Sequence, residues 1–205
     1  EIAGHCHAIV YAGQPGPHGG KALYELLTGQ FNPSGRLPFT YPRHPNSLLT
    51  YDHKYSDSVG PDKETPGFNP LYEFGHGLSY TSFAFSDLKL KSSTLTKSDE
   101  MLLSVRVSNT GSRAGKETVH VFTRDLFASI TPQVKRLRAF SQIELKAGES
   151  KVVTFKIPVK ELAYHNLEST SVLEPGEFDV MVGDLTERIL ICLLYTSPSP
   201  RDFTE

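Results

Sequence analysis

The chain has 205 residues, 38% of them hydrophobic and 21% charged, a make-up that fits one or two folded domains and excludes a disordered chain. Its formal net charge of −2 gives no general attraction for nucleic acid or for an anionic membrane surface. No apolar run approaches the roughly 20 residues of a membrane-spanning helix, and Cys6 and Cys192, at opposite ends, make no disulfide framework.

The chain opens on Glu1 rather than Met and runs straight into an apolar segment. We expect natural sequence upstream, so no signal peptide is to be sought here. "HAIVYAG" is predicted to be a short buried strand. A glycine-rich loop follows, then "GKALYELLTG", in which Ala22, Leu23, Leu26 and Leu27 share one helical face and Gly29 stands at the cap. Strand, loop and helix in this order predict half of a βαβ unit. "NPSG" at residues 32–35 is a turn, and "RLPFTYP" reads as a short strand limited by Pro38 and Pro42. A long polar connection then runs from His44 to Pro70.

From about Phe83 the texture changes to period-two alternation. "LLSVRVSN" puts Leu103, Val105 and Val107 on one face. "ETVHVFT" does the same with Val119 and Val121, "KVVTFKI" with Val153, Phe155 and Ile157, and "EFDVMVG" with Phe178, Val180 and Val182. The turn signals "NTGSRAG", "KAGES" and "EPGE" separate the runs. Roughly seven short strands in about 100 residues predict an immunoglobulin-like or fibronectin type III-like sandwich.

The loop "GQPGPHGGKA" invites a phosphate-binding reading, and its residues fail the chemistry. A P-loop needs a glycine where Pro15 stands and a Ser or Thr where Ala22 stands. Pro15 has no amide proton and Ala22 cannot reach a magnesium ion. The dinucleotide pattern is also broken, because Gly13 and Gly16 are three apart. His5, Cys6 and His7 do not make a metal site, since neighbours on a strand point to opposite faces. There is no G-x-S-x-G elbow. Asp52, Asp57, Asp62 and Glu64 in the long connection read as solvated loop carboxylates. Tyr72, Phe74, Tyr80 and Phe83 in "LYEFGHGLSYTSF" could stack on a sugar or pack a domain junction, and the change of texture there favours the junction.

Five segments in order carry a resemblance. "AGQPGPHGGKALYELLTGQFNPSGRLPFTYPR", "PLYEFGHGLSYTSFAFSDL", "VSNTGSRAGKETVHVFTRD", "VKRLRAFSQIELKAGESKVVTFKI" and "EPGEFDVMVGD" resemble the C-terminal portion of glycoside hydrolase family 3 over about Ile9 to Glu187. The members in view are β-glucosidases and β-xylosidases that end in a fibronectin type III-like domain. "NPSGRLP" and "FGHGLSYT" are specific in combination.

The resemblance implies an α/β fragment followed by an all-β fibronectin type III-like sandwich. It divides the chain into 1–43, the end of an α/β sandwich domain; 44–82, a connection; 83–191, the fibronectin-like domain; and 192–205, a tail. That tail, "CLLYTSPSPRDFTE", resembles translated adaptor sequence rather than the family. The resemblance further implies a retaining exo-acting β-glycosidase, acting on β-glucosides or related oligosaccharides without metal or cofactor. Its nucleophilic aspartate and acid/base glutamate belong upstream of Glu1. No residue of this chain is therefore assigned a catalytic, cofactor-binding or metal-binding role, the piece alone is expected to be inactive, and substrate is expected to meet the missing domains. Relatives are often secreted or periplasmic. Pro17 and His18 stand where many relatives have an acidic residue. The competing expectation is a non-catalytic sandwich that binds carbohydrate or a cell surface, or that only braces its neighbours.

Overall fold

Alternating apolar residues build most of what is ordered. The computed structural model describes residues 2–47, 50–54 and 68–192. Among the described residues one α-helix, α1 (Gly19–Leu27), precedes ten strands: β1 (Phe83–Leu90), β2 (Thr94–Thr96), β3 (Glu100–Asn109), β4 (Gly115–Asp125), β5 (Arg136–Leu145), β6 (Ser150–Pro158), β7 (Tyr164–His165), β8 (Ser171–Val172), β9 (Gly176–Val182) and β10 (Leu185–Cys192), with single 3-10 turns at Ile2–His5 and Val159–Leu162. They form a three-stranded sheet in the order β1-β3-β6, a five-stranded sheet in the order β2-β10-β9-β4-β5, and a small β7-β8 ribbon.

The two larger sheets face each other through the alternation read from sequence. Met101, Leu103, Val105 and Val107 of β3 are buried with Val153, Phe155 and Ile157 of β6. From the other sheet come Val119, Val121, Phe178, Val180, Val182, Ile189 and Ile191. Each such side chain contributes about 1.5–3 kcal/mol by leaving water. Buried polar groups at the rim find partners, as they must in a dry interior. Asn109 is 1% exposed; its amide donates to the carbonyls of Arg113 (2.7 Å) and Leu145 (3.2 Å), and its Oδ1 accepts from the Thr81 hydroxyl (2.7 Å) and the Gly111 amide (3.1 Å). In "KAGES" the Glu149 amide donates to the Lys146 carbonyl (3.0 Å), and its carboxylate accepts the Lys146 amide in return (2.7 Å). Cys192, placed by sequence in the tail, is the last residue of β10 and lies opposite Thr96.

The N-terminal part departs from expectation. α1 forms where predicted, and the Gly29 amide closes it on the Leu26 carbonyl (3.0 Å). Leu23 and Leu26 are half-buried, but Leu27 is 68% exposed. The strand expected at "HAIVYAG" is absent: residues 8–13 are irregular, and Ile9, Val10 and Tyr11 are exposed. A buried parallel strand needs a neighbour on each side, and no described strand pairs with this one; only the Tyr11 ring meets Phe39 and Tyr41. The βαβ half is thus reduced to its helix. "RLPFTYP" is not a ladder either. It pairs antiparallel with residues 71–76 at two places: Leu37 with Gly75 and His76 (both 2.8 Å), and Tyr41 with Leu71 (2.9 Å) and Tyr72 (2.8 Å). Pro38 and Pro42 carry no amide proton and interrupt the pairing between and after these points.

Candidate functional site

The loop that raised the phosphate question is a tight turn. Gly13 and Gly16 take positive φ (56° and 65°), a region open to glycine at little steric cost. The Gly19 amide donates to the Gly16 carbonyl (3.1 Å), so one helix-start donor is already used. Pro15 packs against Gly19, leaving no space there for a Cβ. His18 occupies the cap position without a side-chain capping bond.

The other candidates also separate. Cys6 and its flanking histidines are exposed, and among the described residues no group of three His, Cys, Asp or Glu could hold a metal ion. Asp52 is half-exposed; Asp57, Asp62 and Glu64 lie outside the described residues. Glu73 forms an ion pair with Lys135 (3.6 Å) and Glu117 one with Arg36, while Asp125 lines a cavity apart from both. Glycosidase chemistry commonly requires two carboxylates about 5–10 Å apart across a sugar. The cavity lined by residues 68–76 holds the one carboxylate of Glu73 among its described lining residues, and the cavity at Asp125 holds that one alone.

The specific motifs instead build the seam between the N-terminal part and the sandwich. Asn32 of "NPSGRLP" donates from its amide to the Ala114 carbonyl (2.8 Å), and its Oδ1 accepts from the Ser79 hydroxyl (2.9 Å) and the Tyr80 amide (2.8 Å). One side chain therefore joins the turn after α1, the "FGHGLSYT" segment and the start of β4. Tyr80 donates its hydroxyl proton to the Leu26 carbonyl (2.9 Å), and the Arg113 guanidinium lies 5.5 Å over its ring. Gly77 passes so close to the Gly35 carbonyl that a Cβ would overlap it. Thr81 reaches Asn109 as described above.

Arg36 crosses this seam to Glu117 on β4. Both side chains are nearly dry, 12% and 9% exposed, so the pair compensates two charges withdrawn from water. Phe74 fills the outer face of β4, stacked on Tyr51 (4.6 Å) and edge-on to His120 (5.7 Å) and Phe122 (6.3 Å). Burial holds the His120 imidazole below its ordinary value, and the Arg36 and Lys135 charges act in the same direction. Tyr72 sits edge-on to Tyr41 (6.2 Å) in a second aromatic group with Tyr11 and Phe39. Sequence reasoning placed the aromatic segment at the junction but missed Arg36 and Glu117. These partners stand 81 positions apart, and no local pattern links them.

A single α-helix strapped to a two-sheet sandwich defines the class: a helical segment docked on an immunoglobulin-like β-sandwich. Residues 1–80 match the glycosyl hydrolase family 3 C-terminal domain, and residues 117–186 match a fibronectin type III-like domain. The chain is 36% identical over 192 residues to a periplasmic β-glucosidase of Salmonella typhimurium, covering 89% of this chain and 25% of that protein. It is 35% identical over 185 residues to a β-xylosidase of Formosa agariphila, covering 89% and 26%. A β-glucosidase structure from Erythrobacter marinus superposes with a TM-score of 0.85 at 35% identity, over 93% of this chain and 26% of that one. The chain belongs to glycoside hydrolase family 3 and spans about a quarter of the length of these relatives.

Proposed function

We propose that the chain is the closing part of a retaining, exo-acting β-glycosidase that hydrolyses β-glucosides or related oligosaccharides, and that it is inactive alone. The carrying observation is the use of its two most specific motifs. "NPSGRLP" and "FGHGLSYT" supply the hydrogen bonds and the buried ion pair of a domain seam. They supply no pair of carboxylates. In this reading an aspartate upstream of Glu1 attacks the anomeric carbon, and an upstream glutamate protonates the leaving oxygen, then activates water. The seam holds the sandwich against the domain that carries the glutamate. Residues 1–43 complete that domain, 44–82 form the strap, and 83–191 form the sandwich. Secretion or a periplasmic location accords with this reading.

The uncovered apolar side chains agree with it. Ile9, Tyr11, Tyr24, Leu27 and Leu78 are 52–78% exposed, a density of apolar surface that the rest of a larger domain would cover. The test is to recover the natural reading frame upstream of Glu1, express the longer protein and follow hydrolysis of a β-glucoside by NMR. The first product is expected to be the β-anomer. An α-anomer as first product, or no aspartate nucleophile upstream, would overturn the reading.

A further inference from the structure

A cavity of about 240 Å³ lies at one end of the sandwich, bounded by β4, the loop after it, the start of β5 and the turn before β7. Among the described residues its wall holds the cations Arg136, Arg138 and Lys54 and one carboxylate, that of Asp125. The β-sheet register places the two arginines there. Arg136 pairs with Thr123 across the β4-β5 ladder, and the ladder then skips Arg138, the extra residue of a bulge between Leu137 and Ala139. Bulges re-aim side chains in this way.

The two arginines differ in what holds them. Arg138 donates from Nε to the Thr123 hydroxyl (2.8 Å), from Nη1 to the Glu161 carbonyl and from Nη2 to the Leu162 carbonyl (3.4 Å). These acceptors are neutral, so they fix the guanidinium without cancelling its charge. Burial, with Arg136 next in effect, brings Arg138 down to about 10, while Tyr51, Glu161 and Asp125 oppose that shift. Asp125 accepts the Phe127 amide (3.2 Å) and is itself raised by burial, with Glu174 adding to the rise. Lys54 donates to the Thr131 carbonyl. Among the described residues the Arg136 side chain makes no hydrogen bond or ion pair.

A guanidinium carries five donors in a planar fork and no acceptor, a geometry matched by a carboxylate. We propose that this cavity binds a carboxylate-bearing sugar, with Arg136 pairing with the carboxylate. Gln133 and His165 in the same wall carry hydrogen-bonding groups suited to hydroxyls, and Ile130 and Pro132 add apolar surface suited to C–H groups. At about 240 Å³ the cavity is smaller than the roughly 300–1,000 Å³ of pockets for drug-sized ligands, which limits its occupant to a single small ring. The choice of a sugar rests on the glycosidase reading; the anion site does not.

The test is calorimetric titration of the full 205-residue chain, and of its R136Q variant, with glucuronate, glucose, acetate and inorganic phosphate separately. Glucuronate is expected to bind, glucose not measurably, and acetate and phosphate more weakly than glucuronate. R136Q is expected to weaken glucuronate binding by about tenfold or more, the loss of a charge-assisted hydrogen bond. Its thermal melt is expected to match the parent's, because the Arg136 side chain bonds nothing in the fold. Amide NMR shifts on adding glucuronate are expected within residues 123–138 and 162–165. Absence of glucuronate binding at millimolar concentration, or an unchanged affinity in R136Q, would overturn the site. Acetate or phosphate binding as tightly as glucuronate would overturn the sugar assignment. No hydrolysis is measured, so failure here is distinct from failure of the glycosidase reading.

Discussion

Glu117→Ala strips the carboxylate from a guanidinium that has almost no water around it. Arg36 is 12% exposed, and beyond Glu117 its side chain bonds only weakly, to the Gly35 carbonyl at 3.3 Å. A buried charge that loses its partner costs about 3–5 kcal/mol. With a urea m-value of about 1–3 kcal/mol/M, that loss lowers the midpoint by roughly 1–5 M. The control lies on the same strand pair. Lys116 and Glu144 are 3.9 Å apart and 44% and 68% exposed, so Glu144→Ala should cost at most about 1 kcal/mol. The chain has no Trp and nine Tyr, so tyrosine fluorescence and circular dichroism serve as paired probes of the urea transition. The double variant Arg36→Met, Glu117→Leu should recover most of the loss, since two apolar side chains replace two charges needing compensation. An E117A midpoint no lower than that of E144A would refute the reasoning. So would a double variant as unstable as the sum of the singles.

Two further outcomes follow from the same seam. Gly77→Ala puts a Cβ into the Gly35 carbonyl, so the strap must shift; a loss of about 1–3 kcal/mol is expected in thermal melts. His120 has a folded pKa below its ordinary value of 6.5, so the unfolded chain binds more protons as pH falls through that value. Its contribution is present above about pH 6.5 and is lost progressively below it, until the folded-state pKa is passed. His120→Phe should flatten this part of a stability profile taken between pH 5 and pH 8, and an unchanged slope would remove His120 as its source.

The sandwich was legible because its information is local. Residues such as Val105, Val119 and Phe178 declare their face through their immediate neighbours, and a period of two survives whatever the sheet order is. The helix was legible for the same reason. The strand at "HAIVYAG" was not, because a buried strand depends on neighbours that need not be close in sequence. An apolar run states that something covers it, not that the covering residues are present. The seam was half legible: the aromatics of "LYEFGHGLSYTSF" and the change of texture marked its place. Its polar half was not, since Asn32 meets Ala114 and Arg36 meets Glu117 across about eighty residues. The Arg136–Arg138 cavity depends on a bulge, a one-residue change of register that alternation alone does not reveal.

In the proposed function, this chain braces a catalytic centre supplied by sequence upstream of Glu1. The most direct measurement is turnover of an aryl β-glucoside by the purified 205-residue chain, beside the same protein extended upstream of Glu1. Release of the aryl alcohol is expected from the extended protein and, from the chain alone, at no more than the buffer rate. Turnover by the chain alone that scales with its concentration would contradict the account.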